Sequence, residues 1–169
     1  MADMDKEAAF RKLYDECRDR IYRMCCYYVS GEEDRKDLYQ EVFHNLWKGL
    51  ESFRGDSTLS TWAYRVTVNS ALSFLARARS RNETPAEYAE LIRSRRLPDE
   101  RDADDEAIDL LRGAIAELPL VDMILMSLVL EGASTREIGR TTGLTEGNVR
   151  VRIHRSKEKL RRLIEGEKP

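Results

Sequence analysis

The chain has 169 residues, 41% of them apolar and 36% charged, which is enough for one medium domain or two small ones. Its formal net charge is only -2, so any affinity for nucleic acid must come from the distribution of charge and not from its total. No apolar run approaches the ~20 residues of a membrane span, and Met1 to Glu7 have neither the basic start nor the apolar core of a signal peptide, which predicts a cytoplasmic protein with no membrane insertion.

The first predicted element is a long helix. Phe10, Leu13, Tyr14, Cys17, Ile21, Met24, Cys25 and Tyr28 recur at threes and fours and give it one apolar face. The three cysteines, Cys17, Cys25 and Cys26, are odd in number and lack CxxC spacing. Two of them lie on that face, so they are predicted as core in preference to a redox or metal role. Ser30 followed by Glu33 predicts a capping box that ends this helix and opens a second. In the second, Leu38, Val42, Leu46, Trp47 and Leu50 are predicted to point inward, while Asp34, Asp37, Gln40 and Glu41 form an acidic, hydrogen-bonding surface.

A loop of small polar residues, 52–58, leads to a third helix from near Ser60 to about Arg79. Trp62, Val66, Leu72 and Leu75 are its predicted core, with Thr61, Arg65 and Asn69 on other faces. Arg77, Arg79 and Arg81 close it. Such arginines complement the helix dipole at roughly 0.3–1 kcal/mol each, or they meet the phosphates of an unpaired DNA strand whose flipped base enters a pocket. The residues by themselves leave both options open.

Residues 81–106 change character, with Pro85, Pro98, a basic run from Arg93 to Arg96, an acidic run from Asp99 to Glu106 and little to bury. They are predicted as a flexible linker with a helical turn or two around Tyr88 to Ile92. Asp102, Asp104, Asp105 and Glu106 lack the glycine and terminal glutamate of a calcium loop, so no metal is expected there.

Four helices follow, at 107–118, 120–131, 135–142 and 145–164. Pro119 suits the start of the second because its missing amide hydrogen is not needed there. Gly143 supplies a left-handed turn, Leu144 packs back on Ile138, and Thr145 caps the last helix. Val149, Ile153, Leu160 and Ile164 make its predicted buried stripe. Arg150, Arg152, His154, Arg155, Lys157, Lys159, Arg161 and Arg162 take much of the rest, opposed only by Glu146, Glu158 and Glu165. A solvated amphipathic helix is the plainer interpretation of such charges. The glycine turn, the short preceding helix and the single sign of charge favour a DNA-binding helix-turn-helix, with Arg150 and Arg155 at guanine edges in the major groove.

Nothing in the chain suggests an enzyme. His44 and His154 are the only histidines, and there is no Ser-His-Asp pattern or phosphate-cradling glycine loop, so no cofactor and no small-molecule substrate are expected. The expected fold is all-α, with small helical domains at 5–80 and 107–165.

Asp37-Leu-Tyr-Gln-Glu-Val-Phe43, then Trp47, then Ser52 through Asn69 resemble the region 2 domain of bacterial extracytoplasmic-function (ECF) sigma factors of the sigma-70 family. Glu137-Ile-Gly139, Gly143 through Arg155 and Leu160-Arg161 resemble their region 4 domain. The resemblance implies that Asp37, Gln40, Glu41 and Trp47 bind core RNA polymerase. It implies that the loop of Arg54, Gly55, Asp56, Ser57 and Thr58 captures a base of the single-stranded -10 element, with Trp62, Arg65, Asn69 and Arg77 holding that strand. It implies that Thr135, Arg136, Asn148, Arg150, Val151, His154, Arg155 and Lys157 meet the duplex -35 element. Val151 and His154 depart from the small polar and aromatic residues commoner in the family at those positions. An alternative sigma factor serving a stress- or signal-responsive regulon, held in check by an anti-sigma factor, is the implied function. Two rivals are a stand-alone helix-turn-helix regulator, which would not need the docking surface, and a protein-binding regulator that melts no DNA.

Overall fold

The computed structural model describes residues 2–29, 31–81 and 103–166, and every regular element among them is a helix. They form two compact units that divide between Arg81 and Asn82. The predicted turn at Tyr88 to Ile92 lies outside the described residues.

The first unit holds α1 (Ala2–Tyr28), α2 (Glu32–Gly49), a single 3-10 turn (Leu50–Ser52) and α3 (Leu59–Arg81), each long helix packing on the other two. Leu13, Ile21 and Met24 of α1 and Leu38, Val42 and Leu46 of α2 are fully buried and form the core of this unit. The inner face of α3 differs from the predicted one. Trp62, Val66, Leu72 and Leu75 are only half-buried, and the buried residues are Thr61, Ala63, Tyr64, Thr67, Val68, Ser70, Ala71 and Phe74. The cause is that α3 is pressed by two neighbours, so its inner face is wide and built of small residues. Their hydroxyls are satisfied internally: Thr67 donates to the Ala63 carbonyl at 2.9 Å, Ser70 accepts from Asn45 at 2.9 Å, and Tyr64 accepts from Arg20 at 3.0 Å.

Two further expectations need correcting here. The N-cap of α2 is Gly31, with no side-chain capping bond, and Ser30 lies outside the described residues. Glu33 instead faces Lys36, which also pairs with Glu32 at 2.8 Å; this holds the Glu32 carboxyl below its ordinary range and raises the Lys36 ammonium. Three acids in that first turn complement the helix dipole without a cap. Trp47 is not inward either. It is 38% exposed, edge-on to Phe10 at 5.1 Å and covered by the Lys6 ammonium at 4.4 Å.

All three cysteines are buried and free of disulfides, as the apolar periodicity predicts for Cys17 and Cys25. Burial pushes the Cys25 thiol up to about 12, and burial raises Cys17 despite its hydrogen bond with Ser60. Because the unfolded thiol of Cys25 ionises near 9.0 while the folded one keeps its proton, stability is expected to fall as pH rises from about 9 toward 12. At pH 8 iodoacetamide is expected to leave the native thiols untouched while labelling all three in denaturant. Mass spectrometry counts the adducts, and rapid native labelling of Cys25 would contradict its burial.

The second unit holds α4 (Ala103–Ala116), α5 (Leu120–Leu130), α6 (Thr135–Thr142) and α7 (Glu146–Glu165), with α7 packed on the other three. The helix predicted from 107 begins at Ala103, so its first turn falls within the stretch predicted as linker. Ile115, Leu125, Leu128, Ile138 and Val149 are fully buried. On α7, Val149 and Leu160 are buried as predicted and Ile153 is half-buried, but Ile164 is 40% exposed. At about 100° per residue, Leu163 comes nearer than Ile164 to the line through Val149, Ser156 and Leu160, and Leu163 is the half-buried one.

Candidate nucleic-acid interface

The geometry of α6, the turn and α7 is set by short-range bonds. Ser134 caps α6: its hydroxyl accepts from the Glu137 amide at 3.3 Å, while the Glu137 carboxylate accepts from the Ser134 amide at 2.9 Å. This reciprocal box, Ser-Thr-Arg-Glu in the sequence, precedes the predicted helix start at 135 and is an addition to the predicted signals. The helix ends on Gly143 at φ +77°, whose amide donates to the Gly139 carbonyl at 2.8 Å. Leu144 then runs so close to α6 that a Cβ on Gly139 would sit 2.8 Å from the Leu144 carbonyl oxygen. Thr145 opens α7, its hydroxyl accepting from the Asn148 amide at 3.3 Å. Gly143 and Thr145 thus act as the sequence predicts, and Gly139 adds a close backbone approach that no local pattern announces.

Opposite the buried stripe, α7 presents Val151, His154 and Arg155, all exposed, with Val151 at 50%. Arg150 is exposed and pairs with Glu146 one turn earlier at 3.2 Å, and His154 stands 3.7 Å from Glu158. Asn148 and Lys157 are exposed on the flanks; Arg136 is exposed on α6 and Thr135 is half-buried. Arg152 differs from its neighbours, because it reaches Asp122 of α5 at 2.6 Å. That bridge spans thirty positions and no local pattern announces it.

In the first unit, Asp37 and Gln40 are exposed on one face of α2, with Glu41 half-buried beside them. Glu41 accepts a hydrogen bond from Arg77 of α3, and this partner raises the arginine further above its ordinary value. The residue predicted to dock polymerase and the residue predicted to hold the DNA strand therefore touch. Arg77 also lies over the Phe74 ring at 5.9 Å.

The loop before α3 turns through Gly55 at φ +77° and exposes Arg54, Gly55, Asp56 and Thr58, with Ser57 half-buried. The Thr58 hydroxyl caps α3, accepting from the Thr61 amide at 3.2 Å, and lies 2.8 Å from the Thr61 hydroxyl. Thr61 is consequently buried, contrary to its expected outward placement. Trp62 is half-buried against Gly49, with Phe53 5.4 Å away, and Arg65 and Asn69 continue the same face outward. Among the described residues no cluster of His, Cys, Asp and Glu could hold a metal ion, and no helix is long and apolar enough to cross a membrane.

Comparison with known proteins adds independent findings. Residues 13–81 match the family model for Sigma-70 region 2, and residues 108–160 match that for Sigma-70, region 4. The ECF RNA polymerase sigma-E factor of Haemophilus influenzae is 30% identical over 171 residues, covering 95% of this chain and 89% of that protein. The ECF RNA polymerase sigma factor SigW of Bacillus subtilis is 25% identical over 166 residues, covering 92% of this chain and 89% of that protein. The fold resembles that of the Bartonella quintana sigma factor RpoE, solved in complex with the anti-sigma factor NepR. The TM-score is 0.71 at 17% identity, over 95% of this chain and 99% of the other.

Proposed function

The chain belongs to the ECF sigma factors of the sigma-70 family, and from that premise we propose which of its surfaces meet polymerase, promoter and inhibitor. As a member of that family it is a transcription initiation factor. Residues 5–80 are the unit that docks on core polymerase and opens the -10 element, residues 107–165 read the -35 element, and residues 81–106 join them. Asp37, Gln40, Glu41 and Trp47 form the docking patch, with Asp37, Gln40 and Trp47 exposed and Glu41 half-buried, on a helix whose other side is core. The loop from Arg54 to Thr58, with Trp62, Arg65, Asn69 and Arg77, takes the unpaired strand. Thr135, Arg136, Asn148, Arg150, Val151, His154, Arg155 and Lys157 face the duplex.

One observation carries the reading: an exposed basic face on α7, held by a capped helix-turn-helix, in the same chain as an exposed acidic patch on α2. A stand-alone regulator accounts for the first feature and leaves the second idle. Joining the two units makes the second contact intramolecular once the first has formed. Opening follows from capture, because a base held in a pocket offsets the few kcal/mol of unstacking.

The work is done in the cytoplasm, where polymerase and promoter are. The anti-sigma factor bound by the Bartonella quintana protein supports control of this chain by a partner of that kind. Core polymerase pull-down followed by transcription from a selected promoter tests the whole reading, and failure to bind polymerase sinks it. Arg150→Ala or Arg155→Ala is expected to cost about 1–3 kcal/mol of duplex binding. Gel-shift titration measures this, and an equal loss on every sequence would make that residue a phosphate contact only.

A further inference from the structure

The buried stripe of α7 is thin. Val149 and Leu160 fill its ends, Ile153 and Leu163 flank it half-buried, and Ser156 at its centre is buried with its hydroxyl unpartnered. A small polar residue there gives the neighbouring helices little shape with which to lock the rotation of α7 about its own axis. Any such rotation would carry every exposed side chain with it.

Arg152 lies at the edge of this stripe, about 60° from its centre at 100° per residue. Its Nη1 donates to Oδ1 of Asp122 at 2.6 Å, in the first turn of α5. Asp122 is well placed to hold it, being 20% exposed at its side chain and sited where a helix terminus favours negative charge. The pairs Arg150 with Glu146 and His154 with Glu158 run within α7 and leave its rotation free.

We propose that Asp122 is a positioning residue for duplex reading. Through Arg152 it sets the rotation of α7 and withholds that arginine from the DNA backbone, so that Val151, His154 and Arg155 meet base edges in one register. The inference rests on α7 being the -35 helix.

The test uses the full chain, a short duplex that the wild-type chain selects from a random-sequence pool, and a scrambled duplex of the same composition. Each variant is assayed well below its unfolding midpoint, so that loss of folded protein does not enter. Asp122→Asn is expected to lower the ratio of selected to scrambled affinity roughly threefold to fivefold, the range open to a partly exposed ion pair. It is also expected to steepen the salt dependence on scrambled duplex by about 0.9 in log–log slope, as the released arginine takes a phosphate. Arg152→Gln lowers the ratio alike without steepening the slope, and adding Asp122→Asn to it changes nothing more.

An unchanged ratio in Asp122→Asn overturns the proposal. So does an equal effect of that substitution with and without Arg152, which would mark Asp122 as merely structural. A wild-type chain that enriches no sequence overturns the promoter reading itself, and the proposal with it.

Discussion

Gly139→Ala is expected to destabilise the second unit by about 1–3 kcal/mol, although alanine is the better helix former. Two effects oppose each other. Exchanging glycine for alanine inside a helix stabilises by up to about 1 kcal/mol. Against this, the new Cβ would sit 2.8 Å from the carbonyl oxygen of Leu144, and that oxygen cannot swing away as a side-chain tip would. It belongs to a turn fixed on one side by Gly143 at φ +77° and on the other by the Thr145 cap. The steric term wins, and duplex binding should fall with it.

Gly147→Ala is the matched control, since nothing lies within 4 Å of its added Cβ, and it is expected to be neutral or stabilising. Both tryptophans, Trp47 and Trp62, lie in the first unit. Denaturant unfolding should therefore shift by circular dichroism while the tryptophan fluorescence transition stays in place. A Gly139→Ala protein as stable as wild type would show that the turn can open by several tenths of an ångström at no cost.

Asp37→Ala combined with Gln40→Ala is expected to weaken core polymerase binding by about 2–5 kcal/mol, the loss typical of truncating charged groups buried on association. Both side chains are exposed on α2 and face away from Leu38 and Val42, so the fold should be unaffected within about 0.5 kcal/mol. Competition against labelled wild-type chain for core enzyme gives the difference directly. Intact binding would move the docking surface away from this face of α2, with the exposed Trp47 and its Lys6 cover the next place to look.

The features legible from sequence are those made by neighbours in the chain. Gly143 and Thr145 were readable because a left-handed turn and a helix cap each depend on a few consecutive residues. The Ser134 box is equally local, since it depends on two residues three apart in the chain. The inner face of α3 was not readable in the same way. Thr67 and Ser70 look like surface residues until Thr67 is seen to donate to the Ala63 carbonyl and Ser70 to accept from Asn45. Trp47 misled in the opposite sense, since a large aromatic on the apolar side of a helix lies at the edge of its unit under a lysine. Arg152 with Asp122 and Glu41 with Arg77 join charges on different helices, and only the packing of those helices brings them together.

The close approach at Gly139 and Gly143 has a bearing on how such a chain changes over generations. The angle between α6 and α7 is set by backbone contact and by caps at Ser134 and Thr145, none of which lies at Val151, His154 or Arg155. Frame and lettering are therefore inherited as separate sets of positions. A duplicated copy can drift at Val151, His154 and Arg155 and acquire new target sequences while the angle between α6 and α7 is passed on unaltered.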